Sequence, residues 1–187
     1  FGRNCSRQKW LLKPVSKKRR DHTNKMLIRP ATKADLPAIM QLIHDLARYE
    51  KAPEAVETNE AEIGAALFAD EPKVFCSIAD HDGEVIGIAI WFLNFSTWQG
   101  KHGIYLEDLF IQPEHRGHGY GLAMLKHLAA LCNERGYGRF QWWVLDWNSP
   151  AIEFYKSQGA VAMDEWTVYR VSGDALKNLG SEAASGN

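Results

Sequence analysis

Apolar and polar residues change their rhythm several times along this chain, and each change marks a candidate element. Leu27-Ile28-Arg29 reads as a short strand. Thr32 then offers an N-cap with Asp35 three residues on as its capping-box partner, which predicts a helix to about Tyr49. Thr58 can cap a second helix to about Phe68. Two apolar runs, Lys73–Asp80 and Glu84–Phe95, flank His81-Asp82-Gly83, and Asp-Gly between such runs is a strong hairpin signal. Tyr105–Ile111 is rich in aromatic and aliphatic residues and is closed by Pro113, as a strand would be. From Leu122 the apolar positions Leu122, Leu125, Leu128, Ala129 and Cys132 fall near helical spacing, with Gly136 as the stop. A strand over Phe140–Leu145 follows. Ser149-Pro150 opens a helix that ends before Gly159, Trp166–Val171 reads as a last strand, and Asp174–Leu179 as a short helix. Strands and helices mixed in this order predict an α/β sheet with helices on both faces.

The chemistry concentrates between the Tyr105 strand and the helix after it. Arg116-Gly117-His118-Gly119-Tyr120-Gly121 places three glycines at alternate positions where a strand turns into a helix. Unpaired N–H groups at a helix start hold phosphate oxygens, and glycine lets the backbone approach them without a Cβ. A P-loop would require Lys-Ser/Thr after the last glycine, where Leu122 and Ala123 stand. A dinucleotide fingerprint would require glycine at 122 and an earlier place in the chain. Neither motif fits. Two acids, Glu107 and Asp108, lie in the strand just before the turn, and in a regular strand they would point to opposite faces.

Arg-Gly-x-Gly-x-Gly after such a strand resembles the acyl-CoA signature of the GNAT (Gcn5-related) N-acetyltransferases. The likeness runs from about Leu27 to Leu179 and is tightest in IRPATKADLPAIMQLIHDLARYE, FSTWQGKHGIYLEDLFI, PEHRGHGYG, VLDWNSPAIEFYKSQGA and DEWTVYRV. These segments resemble the spermidine/spermine (diamine) subfamily, and the STW and LDWN pieces its thialysine-acetyltransferase-like branch. The resemblance implies a GNAT-like fold with a central twisted, mixed, mostly antiparallel sheet. It also implies acetyl-CoA as donor, no metal, and a homodimer. Tyr155 matches the tyrosine that protonates the departing sulfur, and Glu107 the acid at the substrate amine. Leu109, Phe110 and Ile111 match the stretch whose backbone pairs with the pantetheine, and Gly117, His118, Gly119, Tyr120, Gly121 and Leu122 the pyrophosphate turn, to which Arg116 adds a cation. Asn148, Ser149 and Pro150 match positions along the CoA arm. Tyr49, Glu50, Trp98 and Asp108 match the amine site. Ser96 stands where the polyamine branch carries an acid, which implies a preference for short amines over a long polycation.

Composition narrows the reading. The chain has 187 residues, enough for one domain, and 45 % are hydrophobic, ample for a core. No apolar run approaches the ~20 residues of a membrane span. Cys5, Cys76 and Cys132 are odd in number and scattered, against a disulfide framework or zinc site and in keeping with a cytoplasmic protein. The histidines show no metal-ligand spacing. Nine Lys and Arg but one acid fall in residues 1–25, leaving 13 basic and 22 acidic residues for the rest. An acidic body favours cationic substrates and disfavours nucleic acid. The basic segment 1–25 reads as a disordered extension, with a transit peptide, nuclear signal or nucleic-acid arm as alternatives. Residues 26–180 would form the transferase domain and 181–187 a disordered tail.

The leading expectation is therefore acetyl transfer from acetyl-CoA to a primary amine of a small molecule, by direct attack in a ternary complex. A protein lysine or N-terminal acetyltransferase and a non-catalytic CoA-binding domain are the alternatives. A pure binder would need neither Glu107 nor Tyr155.

Overall fold

The computed structural model describes residues 26–184; the basic segment 1–25 and the last three residues lie outside them. The chain divides into two compact units, the first ending at Trp143 and the second beginning at Val144.

The first unit is built on five strands in the order β1-β2-β3-β4-β5: β1 (Met26–Pro30), β2 (Val74–His81), β3 (Glu84–Ser96), β4 (Lys101–Ile111) and β5 (Arg139–Trp142). The first three pairings are antiparallel and β4/β5 is parallel, so the sheet is mixed and mostly antiparallel as expected. Asp82 and Gly83 both take positive φ (54° and 92°), the backbone a two-residue hairpin requires to match strand twist.

Helices α1 (Leu36–Tyr49) and α2 (Glu60–Leu67) cover one face. Ile39, Leu42 and Leu67 pack there with Cys76 and Ile78 of β2, Ile88 and Ile90 of β3 and Phe110 of β4. Side chains alternate along β2, so His81 points away from Cys76 and Ile78. Its ring lies 5.7 Å from Tyr120, which puts α3 (Tyr120–Glu134) on the other face, where Met124, Leu125 and Leu128 are buried.

The N-cap expectations hold with one shift. The Asp35 carboxylate accepts from the Thr32 N–H (2.7 Å) and hydroxyl (2.8 Å), closing a 3-10 turn that runs into α1. Asp35 also receives both Nη groups of Arg29 at 2.8 Å, while Arg29 Nε donates to Asp80 (2.9 Å). The Arg29 guanidinium holds Asp35 down to about 2, and this pairing ties β1, β2 and α1 together. At α2 the cap is Asn59 rather than Thr58: its Oδ1 accepts from Ala61 and Glu62 N–H, an amide oxygen one residue closer to the helix than the Thr58 hydroxyl, which binds Glu62 instead.

The second unit holds α4 (Ser149–Ser157) and α5 (Gly173–Ala184). Asn148 Oδ1 accepts from Ala151 N–H, and Pro150 stands in the first turn, where its missing N–H costs nothing. Two expectations change here. The expected strand at 166–171 is irregular, because a strand exists only by pairing and these residues have no ladder partner among the described residues. The last helix runs beyond Leu179 to Ala184, into the tail expected to be disordered from 181, as Glu182, Ala183 and Ala184 favour helix enough to carry it past Gly180.

Candidate active site

β4 changes character at Glu107. Ile90 faces Asp108 but Trp91 faces Leu106, so Glu107 is an extra residue, a β-bulge. Up to Leu106 the strand is paired on both sides: β3 on one edge, and β5 on the other through Gly103↔Arg139 to Leu106↔Trp142. From Glu107 to Ile111 only β3 remains paired with it. The other edge of Leu109, Phe110 and Ile111 thus has no strand partner among the described residues, although the Ile111 carbonyl is taken by Arg116.

The bulge also decides where the acids go. Residues directly opposite in an antiparallel pair share a face, and Ile90 belongs to the α1/α2 core, so Asp108 lies on that face. Glu107, at the bulge, is exposed. The regular alternation expected from the sequence does not apply, because the extra residue resets the parity of the strand. Asp108 is mostly buried, and no side chain among the described residues hydrogen-bonds to it. Burial, then the negative charges of Glu107 and Glu50, push its carboxyl up to about 7. Glu50 reaches solvent yet is itself raised by partial burial. Three acids from α1 and β4 therefore share one region, in which Asp108 has no paired cation.

Beyond β4, Pro113–His115 form a 3-10 turn and the glycine motif leads into α3. Gly117 and Gly119 take φ of 81° and 79°, and a Cβ added at Gly117, Gly119 or Gly121 would meet nothing within 4 Å. The backbone is therefore open to an approaching ligand at the positive end of a 15-residue helix. No side chain caps that end. His118 and Tyr120 stack on each other (5.6 Å, 24°), and His81 and His115 complete the aromatic packing beside the turn.

The end of α1 forms the opposite wall. Lys51 adopts φ 63°, its N–H donating to Arg48 O and that of Ala52 to Ala47 O, which closes the helix just after Tyr49 and Glu50. A hollow of about 450 Å³ opens between Asp45, Arg48 and Tyr49 of α1 and Phe110, Gln112, Pro113 and Glu114 beyond the bulge. Gln112 Oε1 is buried there without a partner. Sequence reading passed over Asp45, Arg48, Gln112 and Glu114, because nothing in their spacing distinguishes them from solvated polar residues. Arg48 pairs with Asp45. Arg116 sends its side chain back from the glycine turn: Nε donates to Ile111 O (2.9 Å), and the guanidinium lies 4.7 Å from the Tyr49 ring centre and 5.1 Å from that of Phe110.

The fold brings together Tyr49, Glu50, Glu107, Asp108, Leu109, Phe110, Ile111, Arg116 and the turn Gly117–Leu122. It does not bring Trp98 to them. That side chain is 91 % exposed in the β3–β4 turn, roughly 20 Å from Glu107 at ~3.3 Å per strand residue. Ser96 closes the same turn, its Oγ accepting from Gln99 N–H. Asn148, Ser149, Pro150 and Tyr155 belong to the second unit, where they start and line α4.

A mixed sheet thus parts at a bulge, next to a glycine turn and a helix start, in keeping with the acetyltransferase-like fold that the sequence resemblance implies. The comparisons agree. The acetyltransferase (GNAT) family model matches residues 36–160, which takes in both units through Tyr155. A thialysine N-epsilon-acetyltransferase of Bos taurus is 34 % identical, covering 82 % of this chain and 96 % of its own length. An L-ornithine N5-acetyltransferase of Arabidopsis thaliana is 30 % identical over 81 % of this chain and 86 % of its own. Among solved structures, an integron cassette protein from the mobile metagenome of V. cholerae superposes with a TM-score of 0.71 at 28 % identity, covering 83 % of this chain and 97 % of the other. The chain belongs to the GNAT family of acetyltransferases and is an N-acetyltransferase. No helix among the described residues is long and apolar enough to cross a membrane.

Proposed function

We propose that residues 26–180 form a transferase domain that moves the acetyl group of acetyl-CoA to a primary amine of a small molecule, a short amino acid or diamine before a long polyamine. The observation that carries this reading is the parting of β4 from β5 at Glu107, which leaves an open strand edge between the glycine turn and three clustered acids. The backbone of Leu109–Ile111 would pair with the pantetheine arm, and a backbone N–H there would polarise the thioester oxygen. Gly117 to Leu122 would hold the pyrophosphate. Relatives that act on thialysine and ornithine support a short acceptor.

The acceptor must lose a proton before it attacks, since an ordinary amine of pKa ~10.4 is about one part in a thousand neutral at pH 7.4. Glu107 and Asp108 receive that proton or hold the cation, and Glu50 adds negative charge. The amine nitrogen then attacks the thioester carbon. As the tetrahedral adduct collapses, the C–S bond breaks, the Tyr155 hydroxyl protonates the leaving thiolate, and the second proton of the amine nitrogen, released as the amide forms, restores the Tyr155 hydroxyl through solvent. Tyr155 takes this role from the NSPAIEFYKSQGA motif, which the family match includes. A homodimer in the cytoplasm accompanies the reading.

The test is thiol release from acetyl-CoA by the purified chain with thialysine, ornithine, putrescine, lysine, spermine and a lysine peptide. Short amines should give the highest kcat/KM, and Tyr155→Phe should lower kcat by roughly 10²–10⁴ with folding intact. Thiol release that no amine stimulates, or that only the peptide stimulates, would refute it.

A further inference from the structure

Arg116 opens the glycine turn, yet its side chain does not stay there. Nε is spent on the Ile111 carbonyl at the end of β4, and the planar guanidinium lies against two rings. Tyr49, at 4.7 Å, is the last residue of α1, next to the acid Glu50; Phe110, at 5.1 Å, belongs to the open half of β4. One side chain therefore touches three parts at once: the turn that carries it, the strand end, and the acceptor-side end of α1. A cation over an aromatic face is held by the ring quadrupole, and a planar guanidinium fits between two rings where an ammonium does not. The carbonyl bond fixes the remaining orientation.

We propose that Arg116 is a positioning residue: it braces the Tyr49–Glu50 arm against the donor turn, so that donor and acceptor binding are coupled through it. This rests on the acetyl-transfer reading. A donor settling on Gly117–Leu122 fixes the backbone that carries Arg116. The guanidinium then holds Tyr49, and with it Glu50, in the geometry that receives the amine. Coupling is reciprocal, so a bound amine must tighten the donor by the same factor. The phosphates themselves are left to backbone N–H groups.

The experiment is calorimetric titration of coenzyme A, alone and with saturating thialysine, into wild type, Arg116→Gln, Tyr49→Leu and the double variant, with melting temperatures measured alongside. In wild type, thialysine should tighten coenzyme A at least fivefold. Arg116→Gln should leave coenzyme A affinity alone within about threefold of wild type and bring that factor close to one. Tyr49→Leu should do the same, and the double variant should be no worse than either single change. Should Arg116→Gln fail to fold, Arg116→Lys replaces it and should retain only part of the coupling, since it keeps the charge but loses the plane and the Nε bond. A tenfold loss of coenzyme A affinity without amine would make Arg116 a phosphate ligand and overturn the proposal. So would coupling that survives in Arg116→Gln, or its absence from wild type. A wild-type chain that binds coenzyme A but no amine contradicts the acetyl-transfer reading instead, and the affinity of Arg116→Gln for coenzyme A alone still decides whether its side chain serves the phosphates.

Discussion

The two halves of β4 share one strand and almost nothing else. From Gly103 to Leu106 it is paired on both edges and buried, and it is so crowded that a Cβ on Gly103 would come within 2.6 Å of Arg139 Cγ and Asn94 Oδ1. From Glu107 to Ile111 one edge is open, two acids appear, and Arg116 and the α1 end gather round. A single inserted residue separates a stretch paired on both edges from one paired on β3 alone.

The largest expected effect lies just past the open half. Gly119→Glu puts a carboxylate and a strained φ of 79° where N–H groups would meet phosphate. Acetyl-CoA binding should vanish in calorimetry while the circular dichroism spectrum stays folded. Unchanged affinity would remove the turn from the donor site. Next, Glu107→Gln should cost roughly 10²–10⁴ in turnover, the range for a general base, and leave acetyl-CoA affinity nearly intact. Equal loss of both would give Glu107 a structural role in the bulge.

A third change attacks the paired half alone. Gly103→Ala should destabilise the fold by about 1–3 kcal/mol through overpacking, read as a lower midpoint in urea, with acetyl-CoA affinity of the folded fraction preserved. A stable variant with weakened donor binding would blur the division proposed for the strand.

The last expected effect is on pH. Asp108 binds its proton more tightly folded than unfolded, its carboxyl rising from 3.8 to about 7. Its contribution to stability is full below pH ~4 and is lost as pH rises through 7, by at most about 1.4 kcal/mol per pH unit. Tm should fall over that window in wild type, and Asp108→Asn should flatten the slope. An identical slope in the variant would place the titration elsewhere.

Much of this division was legible in the sequence, for identifiable reasons. Asp82-Gly83 specifies its hairpin locally, and the alternate glycines of 117–121 announce backbone that only glycine adopts cheaply. The bulge at Glu107 left no trace, because Tyr105–Ile111 runs as an acid pair between apolar pairs with no strict alternation, so an extra residue breaks no pattern. β4 begins at Lys101, four residues before the apolar run, since Lys101 and His102 are polar yet pair with Ser96 and Phe95. The neighbours of the Arg116 side chain were not legible, because a motif gives neighbours along the chain, not the two rings that side chain reaches. Trp98 read as a substrate residue by resemblance, but the length of the β3–β4 hairpin holds it away from the acids. Trp166–Val171 has strand propensity without a ladder partner among the described residues, and propensity alone makes no ladder.

The central claim is that the donor pairs with the open half of β4, and amide hydrogen exchange tests it most directly. With saturating acetyl-CoA, exchange of the peptide covering Glu107–Ile111 should slow at least tenfold, whereas Gly103–Leu106, already paired on both edges, should not change. Protection that appears elsewhere and leaves 107–111 exchanging as in the free protein would contradict the account.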